Sequence, residues 1–301
     1  MSRVLLTGAS GLLGRHALSA LTNAGHEVHA VARKAGADIS GVSWHVADLT
    51  DPSAAEAVVG EVAAERLLHL AWYVEHGLYW QAPENVVWVE ATLRLLRAFV
   101  VAGGRRAVLA GTCAEYDWSH EHELYDERHT PLEPATMYGV AKHATHLVAE
   151  RFAANSGIEL AWGRIFMPYG PGEGHTRLVP SVIRALLAGE EAPVSDGAQE
   201  RDLMYVEDVA GAFAAILDSD ARGAINVASG RCCTIRDMVA LVAETVGRPE
   251  LVRWGAVPTR PGDPGRLVAD VRRLREEVGF AARVELADGV SRTVDWWRGH
   301  S

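Results

Sequence analysis

The sequence predicts an α/β fold, a doubly wound parallel sheet followed by a smaller C-terminal α/β cap. Three observations predict it. Short apolar runs alternate with amphipathic stretches through the first half, a glycine-rich turn follows the first run, and the rhythm breaks after Phe166. A strand–helix–strand repeat of this kind is satisfied by parallel strands with helices on both faces. RVLLTG reads as the first strand and GRHALSALTNAG as a helix stopped at Gly25. HEVHAVAR is the second strand and VSWHVADLTD the third, after which Asp51–Pro52 opens the helix SAAEAVVGEVAAE. RLLHLAW is the fourth strand, and the long helix ENVVWVEATLRLLRAFVVAGG is closed by paired glycines. RRAVLAGT is the fifth strand, MYGVAKHATHLVAERFAANSG the next helix and IELAWGRIF the sixth strand. Pro168, Gly170, Pro171, Gly172 and Gly174 then crowd together, and a proline-dotted region follows. LMYVEDVAGAFAAILDSD and AINVAS read as the chain returning to the main sheet. Residues 1–165 with 203–228 are therefore expected to form one lobe, and 166–202 with 229–301 the other. The last helix, in SRTVDWWRGH, is expected to pack Trp296 and Trp297 into the cap.

At 301 residues, with 49% hydrophobic and 23% charged side chains, the chain can bury a core and lacks the composition of a disordered one. Its formal net charge of −10 argues against a nucleic-acid backbone as partner, while leaving room for a local basic cleft around a small anion. Cys113, Cys232 and Cys233 fit neither a disulfide framework nor a CxxC metal spacing, which suits a reducing compartment. No signal-peptide pattern opens the chain, and no apolar run reaches the ~18 residues of a membrane helix. The expectation is a soluble cytoplasmic protein with neither membrane nor nucleic-acid partner.

Gly8, Gly11 and Gly14 give GxxGxxG directly after the first strand, at the opening of a helix. Such a turn brings backbone close to a diphosphate and aims a helix N-terminus at it. The turn formed by Gly8, Ser10, Gly11, Leu12, Leu13 and Gly14 is therefore expected to bind a dinucleotide. The end of the second strand bears on which one. An NAD site usually has a carboxylate there for the ribose 2′-hydroxyl, whereas this chain has Arg33 and Lys34, which suit a 2′-phosphate. NADP is expected, with NAD as the alternative if those two charges are merely solvated. Arg15 is placed to join the same phosphate pocket, Asp48 and Leu49 to flank the adenine, and Leu70 and Ala71 to contact the cofactor from the fourth strand.

Tyr138 and Lys142 stand i, i+4 and share a helix face. A phenol with a pKa of ~10 exchanges protons poorly at neutral pH unless its anion is favoured, and an ammonium one turn away favours it. Thr112, at the end of the fifth strand, can hold a substrate oxygen for proton exchange with Tyr138. Thr112, Tyr138 and Lys142 are thus the expected catalytic set, the last two also meeting the cofactor. His120, His122, His129, His143 and His146 lack a coherent ligand set; solvated or capping roles suit them better, and no metal is expected.

With TGASGLLG, ADLTD, HLAW, ENVVWVEATLRLLRAF, GTCAEYD, YGVAK, GRIFMPYGP, ERDLMYVEDVA and INVASG, the chain resembles extended short-chain dehydrogenases/reductases of the NAD-dependent epimerase/dehydratase family. The resemblance covers nearly the whole length. It implies a Rossmann-like lobe, a substrate-binding cap, and hydride transfer at a carbon of a nucleotide-diphosphate sugar. Members that dehydrate nucleotide hexoses carry an acid/base pair directly after the catalytic Thr; here those positions are Cys113 and Ala114, and alanine cannot exchange protons. Glu115, one step on, is expected to point to the opposite side of an extended backbone and to serve a supporting hydrogen-bonding role. The Glu115–Tyr116 ending is similar to that of reductases of nucleotide 4-keto-6-deoxysugars, although Asp117 replaces their glycine. With Arg33 and Lys34, this tilts the reading toward an NADP-dependent reductase of a nucleotide-linked keto sugar, a 4-keto-6-deoxyhexose first. A 4-epimerase with retained NAD is the alternative within enzymes. A non-catalytic dinucleotide-binding protein is the alternative outside them, and the intact catalytic set speaks against it. A variant in which Cys113 and His175 add an epimerisation step is a minority reading. By the same resemblance, Asn85 orders the site through backbone contacts, Arg201 and Arg260 hold the diphosphate and nucleotide, and Arg164 and Tyr169 line the cleft. Trp72, with Tyr73, Tyr79 and Trp80, either walls the sugar pocket or packs beneath its loop. A homodimer through the helices at 85–103 and 137–156 is expected.

Overall fold

The structure, a computed structural model, describes residues 2–259 and 262–300. Its first half follows the alternation: β1 (Arg3–Thr7), α1 (Leu12–Asn23), β2 (Glu27–Ala32), β3 (Val42–Val46), α2 (Pro52–Val62), β4 (Arg66–His69), α3 (Glu84–Val101), β5 (Arg106–Thr112), α4 (Met137–Ser156) and β6 (Glu159–Ile165). There follow β7 (Met167–Tyr169), α5 (Leu178–Leu187), β8 (Ala192–Pro193), β9 (Glu200–Tyr205), α6 (Val206–Asp218) and β10 (Gly223–Val227). The chain ends with β11 (Cys232–Thr234), α7 (Ile235–Val246), β12 (Val252–Arg253), β13 (Arg266–Leu267), α8 (Arg272–Glu276) and α9 (Leu286–Arg298).

Seven strands pair in parallel in the order β10-β6-β5-β4-β1-β2-β3, the Rossmann-like arrangement that the alternation predicts. The order reverses between β1 and β4, and the crevice outside the strand ends at such a switch point is where ligands collect. Successive side chains of a strand face opposite ways. Val4 and Leu6 accordingly pack with Leu18 and Leu21 of α1 and Phe213 of α6, while Leu5 joins Val59 of α2 and Phe99 of α3 on the other face. The central β5 is buried from end to end, as a parallel strand covered on both faces must be.

Local chemistry sets the helix ends. Asp51 accepts from Ser53 N at 2.9 Å with Pro52 in the first turn of α2. Thr136 accepts from Gly139 N at 3.1 Å to start α4, and Gly157, at φ +72°, stops it. Two strands are shorter than their apolar runs suggest. β3 stops at Val46 because the Asp48 carboxylate turns the chain by accepting from Thr50 N and Oγ1. β4 stops at His69, and beyond it Ala71 N donates to the Thr7 hydroxyl.

After β6 the chain builds a second, smaller sheet around β9, which runs antiparallel to β11 and parallel to β7 and β13. Val182, Ile183 and Leu186 of α5, Val239 of α7, and Val290 and Trp297 of α9 share its core. Trp296 meets Trp297 edge-on at 5.0 Å. The returning segment splits: Leu203–Tyr205 finishes β9, α6 packs on α1, and β10 pairs with β6. Buried Arg106, at the start of β5, donates to the carbonyls of Ile216, Leu217 and Ala221 and so closes the C-terminal end of α6. Among the described residues no helix is long and apolar enough to cross a membrane.

Candidate active site

Glycine opens the crevice. Gly8 has a φ of +70°, which side chains disfavour, and a Cβ on it would lie 2.8 Å from Ala71 N. A Cβ on Gly14 would lie 2.1 Å from Gly8 O. The turn, the start of α1 and the end of β4 therefore close on one another only as glycines. Gly11 begins α1 without a side-chain cap, which leaves the first helical N–H groups for a ligand. This cradle fits the diphosphate of a dinucleotide. Ser10 is exposed at its rim, with Leu12, Leu13, Leu70 and Ala71 half-buried around it.

Arg33 and Lys34 follow the last residue of β2 and are exposed. Asp48 sits close enough to feel Arg33, although its bonds from Thr50 are the main cause holding its carboxyl below the usual range. Leu49, expected to flank the adenine, has its side chain buried in the core with α2 and α3. Arg15 donates to Ser10 O at 3.1 Å and lies against Gly172 in the loop before α5.

Thr112 ends β5 in extended backbone, and a single 3-10 turn, Cys113–Glu115, follows at once. A reciprocal cap makes the turn: Thr112 Oγ1 accepts from Ala114 N at 3.2 Å, and Glu115 Oε1 accepts from Thr112 N at 2.9 Å. The expectation of extended backbone here is thus corrected. The turn folds Glu115 back behind β5, where its fully buried carboxylate also accepts from Trp162 Nε1 at 2.8 Å and Arg164 Nε at 3.0 Å. Gly111 makes room, since a Cβ there would lie 2.1 Å from Trp162 Nε1. Cys113 is buried under the same turn, and burial pushes its thiol up to about 12.

The start of α4 faces this turn. Tyr138 N donates to Trp80 O at 3.0 Å, and the phenol ring meets Tyr79 edge-on at 4.9 Å and Trp80 at 5.9 Å. Burial pushes the phenol well above its ordinary range against the pull of a hydrogen bond with Thr112, so Tyr138 is protonated at neutral pH. One turn on, buried Lys142 donates to Ala110 O at 2.8 Å and sits 3.8 Å from the centroid of the Trp72 ring. Burial pulls its ammonium down to about 7, and the Glu115 carboxylate pulls the other way. Trp72 donates its indole N–H to Asn85 Oδ1 at 2.9 Å, and buried Asn85 donates to the carbonyls of Tyr79 at 2.7 Å and Ala82 at 2.9 Å. His69 bridges Thr7 and Thr92 beneath them, and burial takes it down to about 3. Thr112, Tyr138, Lys142, Trp72 and Asn85 thus come together.

Other expected contacts lie elsewhere. Arg164 does not line the cleft: it is buried behind β5, bound to Glu115 and to the Tyr116 hydroxyl at 3.2 Å, because a buried carboxylate there needs a cation. Tyr169 is likewise buried, in the second core beside Tyr205. Arg201 lies within electrostatic reach of Cys113, yet its guanidinium is occupied by Asp263 at 2.7 Å and by the carbonyls of Glu200 and Pro264. Arg260 falls outside the described residues, and His175 is exposed. His120 and His129 pair with Asp117 and Asp126, and His122 meets Tyr125 edge-on. His143 and His146 do come together with Glu115, their ligand atoms within 4.8 Å of one another, which the linear spacing hides. The Arg164 guanidinium on the same carboxylate opposes a cation there.

Three residues of the site escaped the sequence reading. Trp118 donates to Cys113 O at 3.2 Å and packs edge-on against Trp80. The Arg177 guanidinium lies 5.7 Å from the Tyr79 ring. Glu173 is buried in the loop before α5 with one carboxylate oxygen unpartnered, and burial raises it to about 7. The crowding of 168–174 with proline and glycine was the available signal for that loop; nothing local marked Arg177.

Residues 4–228 match the family described as NAD dependent epimerase/dehydratase. The dTDP-glucose 4,6-dehydratase of Streptomyces griseus is 27% identical over 99% of this chain and 95% of its own length. The UDP-glucose 4-epimerase of Azospirillum brasilense is 27% identical over 98% and 91%. Among solved structures, MoeE5 in complex with UDP-glucose and NAD gives a TM-score of 0.86 at 32% identity, covering 99% of each chain. The UDP-glucose 4-epimerase of Thermus thermophilus, in complex with NAD, gives 0.87 at 27%, covering 99% of this chain and 100% of that one. A glycine cradle, a Thr–Tyr–Lys set and these likenesses agree, and the chain belongs to the NAD-dependent epimerase/dehydratase family of extended short-chain dehydrogenases/reductases.

Proposed function

We propose that this enzyme reduces the carbonyl of a nucleotide-linked keto sugar, a 4-keto-6-deoxyhexose first, at the expense of NADPH. The neighbourhood of Thr112 supports this most. Tyr138 is the titratable group facing it, its proton held on by burial, and the next three residues offer no second acid or base. The Cys113 thiol is pushed up to about 12, Ala114 has nothing to exchange, and Glu115 is spent on Thr112 N, Trp162 and Arg164. One proton carrier suits one hydride addition, whereas elimination of water calls for an acid and a base together.

The turn from Gly8 to Gly14, with Leu70 and Ala71, would hold the dinucleotide, and Arg33 and Lys34 its 2′-phosphate. The dinucleotide supplies the hydride. Thr112 fixes the sugar oxygen, and Tyr138 gives that oxygen its phenolic proton as the new C–H bond forms at the carbonyl carbon. The Lys142 ammonium stabilises the phenolate left behind, which solvent then reprotonates. The sugar carbon is reduced and the nicotinamide oxidised. Residues 1–165 with 203–228, less the Leu203–Tyr205 end of β9, would bind the dinucleotide, and 166–202 with 229–301 the nucleotide sugar. Arg201 would reach a diphosphate by exchanging Asp263 for it. We also propose a homodimer, through α3 and α4.

A nucleotide-sugar 4-epimerase that keeps its NAD is the second reading, supported by the NAD and UDP-glucose in the complexes of the solved neighbours. Absorbance of reduced nicotinamide, followed with NADPH or NADH and a panel of nucleotide 4-keto-6-deoxyhexoses, separates the two. Stoichiometric loss of NADPH absorbance is the expected result. Conversion of a nucleotide hexose to its epimer with no net loss would overturn the reductase reading in favour of the second.

A further inference from the structure

A buried ammonium needs replacements for its water, and Lys142 has two: the Ala110 carbonyl at 2.8 Å and the face of the Trp72 ring at 3.8 Å. The indole is itself held. Its N–H is bound by Asn85 at 2.9 Å, and the Asn85 amide is bound by the carbonyls of Tyr79 and Ala82. Trp72 also follows directly on Ala71, whose backbone N sits against Gly8, so one residue borders both the cradle and the lysine. We propose that Trp72 is a positioning residue: its ring face, fixed by Asn85, holds the Lys142 ammonium charged and in place one turn from Tyr138. This rests on the reading of Tyr138 and Lys142 given above.

A cation stripped of water gains more from an aromatic face than an exposed one does, and an aliphatic side chain gives nothing comparable. The other ionisable groups that act on Lys142 or feel it are few. Glu115, from the turn after β5, is tied to Arg164. His69, from β4, is neutral through the neutral and alkaline range, since burial takes it to about 3. Tyr138, on the same helix, keeps its proton because burial pushes it up. Lys142 is therefore the member of this group that changes charge between neutral and moderately alkaline pH.

The first test needs no cofactor. Urea unfolding of the parent, Trp72→Leu, Lys142→Met and the double variant gives the coupling between the two side chains at each pH. Near pH 6, with Lys142 charged, the coupling is expected to be about tenfold or more in the folding constant; near pH 9.5, with the amine neutral, it should fall towards onefold. The sign follows from burial: the folded state releases the Lys142 proton at lower pH than the unfolded chain, so stability rises with pH between those two points. Trp72→Leu lowers the folded value further and so loses most on the acid side. Trp72→Phe keeps a ring face without the bond to Asn85, should retain part of the coupling, and serves in place of Trp72→Leu if the latter does not fold. A coupling equal at both pH values, or absent at both, overturns the proposal. In turnover, the alkaline limb of kcat should move down by about one pH unit in Trp72→Leu. A Lys142→Met variant that turns over normally would overturn the catalytic reading instead, and leaves the coupling measurement to stand on its own.

Discussion

On the proposed reading Tyr138 would enter the reaction with its proton on, because burial against Tyr79 and Trp80 disfavours the phenolate until something positive arrives. Tyr138→Phe keeps the ring and its edge-on contacts but has no proton to give. It should cut kcat by about a hundredfold or more while cofactor affinity, read by fluorescence titration, stays within about twofold. Glu173 offers a test by pH. Its carboxyl is raised from an ordinary 4.5 to about 7, so the folded state keeps this proton where the unfolded chain has lost it. Stability from this group is present at low pH and is lost as pH rises through that window. Glu173→Gln should therefore gain on the parent by roughly 2 kcal/mol in urea unfolding between pH 5 and pH 8. At this scale the sequence was uneven. Thr112, Tyr138 and Lys142 could be read because a strand end and an i, i+4 spacing on a helix place them without tertiary knowledge. Arg164 could not, since its role depends on Glu115, and Glu115 goes where the Thr112 cap sends it rather than where an extended chain would.

The helix that carries Tyr138 and Lys142 is set by its ends. Thr136 satisfies Gly139 N, one residue beyond Tyr138, and Tyr138 N is bound by Trp80 O. Removing the cap with Thr136→Ala should cost about 1 kcal/mol in unfolding and should lower kcat more than it raises KM, because the frayed turn is the one that presents the phenol. Elements of this sort were legible: Asp51–Pro52, the paired glycines after α3 and Gly157 are local signals with local effects. The strand ends at the crevice were overread. Apolar residues run on past Val46 and His69, and only the competing bonds of Asp48 and Thr7 show why the ladder stops. The two-residue strands β8 and β12 left no periodicity to find, for two residues cannot show one.

At the scale of the whole molecule, α3 and α4 pack side by side and leave Val86, Val87, Val140, Leu147 and Val148 exposed. Apolar side chains grouped on neighbouring helices are better covered than wet. Sedimentation should give about twice the 32.5 kDa chain mass, and Leu147→Glu should shift the population to the single chain. The parallel sheet was legible as a class because parallel strands require crossover helices, and the alternation of the two is written in the sequence. Pairing across the second sheet was not, because β9 takes partners from both before and after it in the chain.

The outermost neighbour of β6 is β10, which the chain supplies only after the first segment of the cap and α6 have been made. During synthesis, six strands can assemble while the hydrogen-bonding edge of a largely buried strand still lacks its neighbour. Until Gly223–Val227 has left the ribosome, that edge is open to any other strand in reach. A chain that ends before that point should pair wrongly and aggregate more than the full-length one. The long return of the polypeptide thus sets an interval during synthesis in which the main sheet has an unpaired edge.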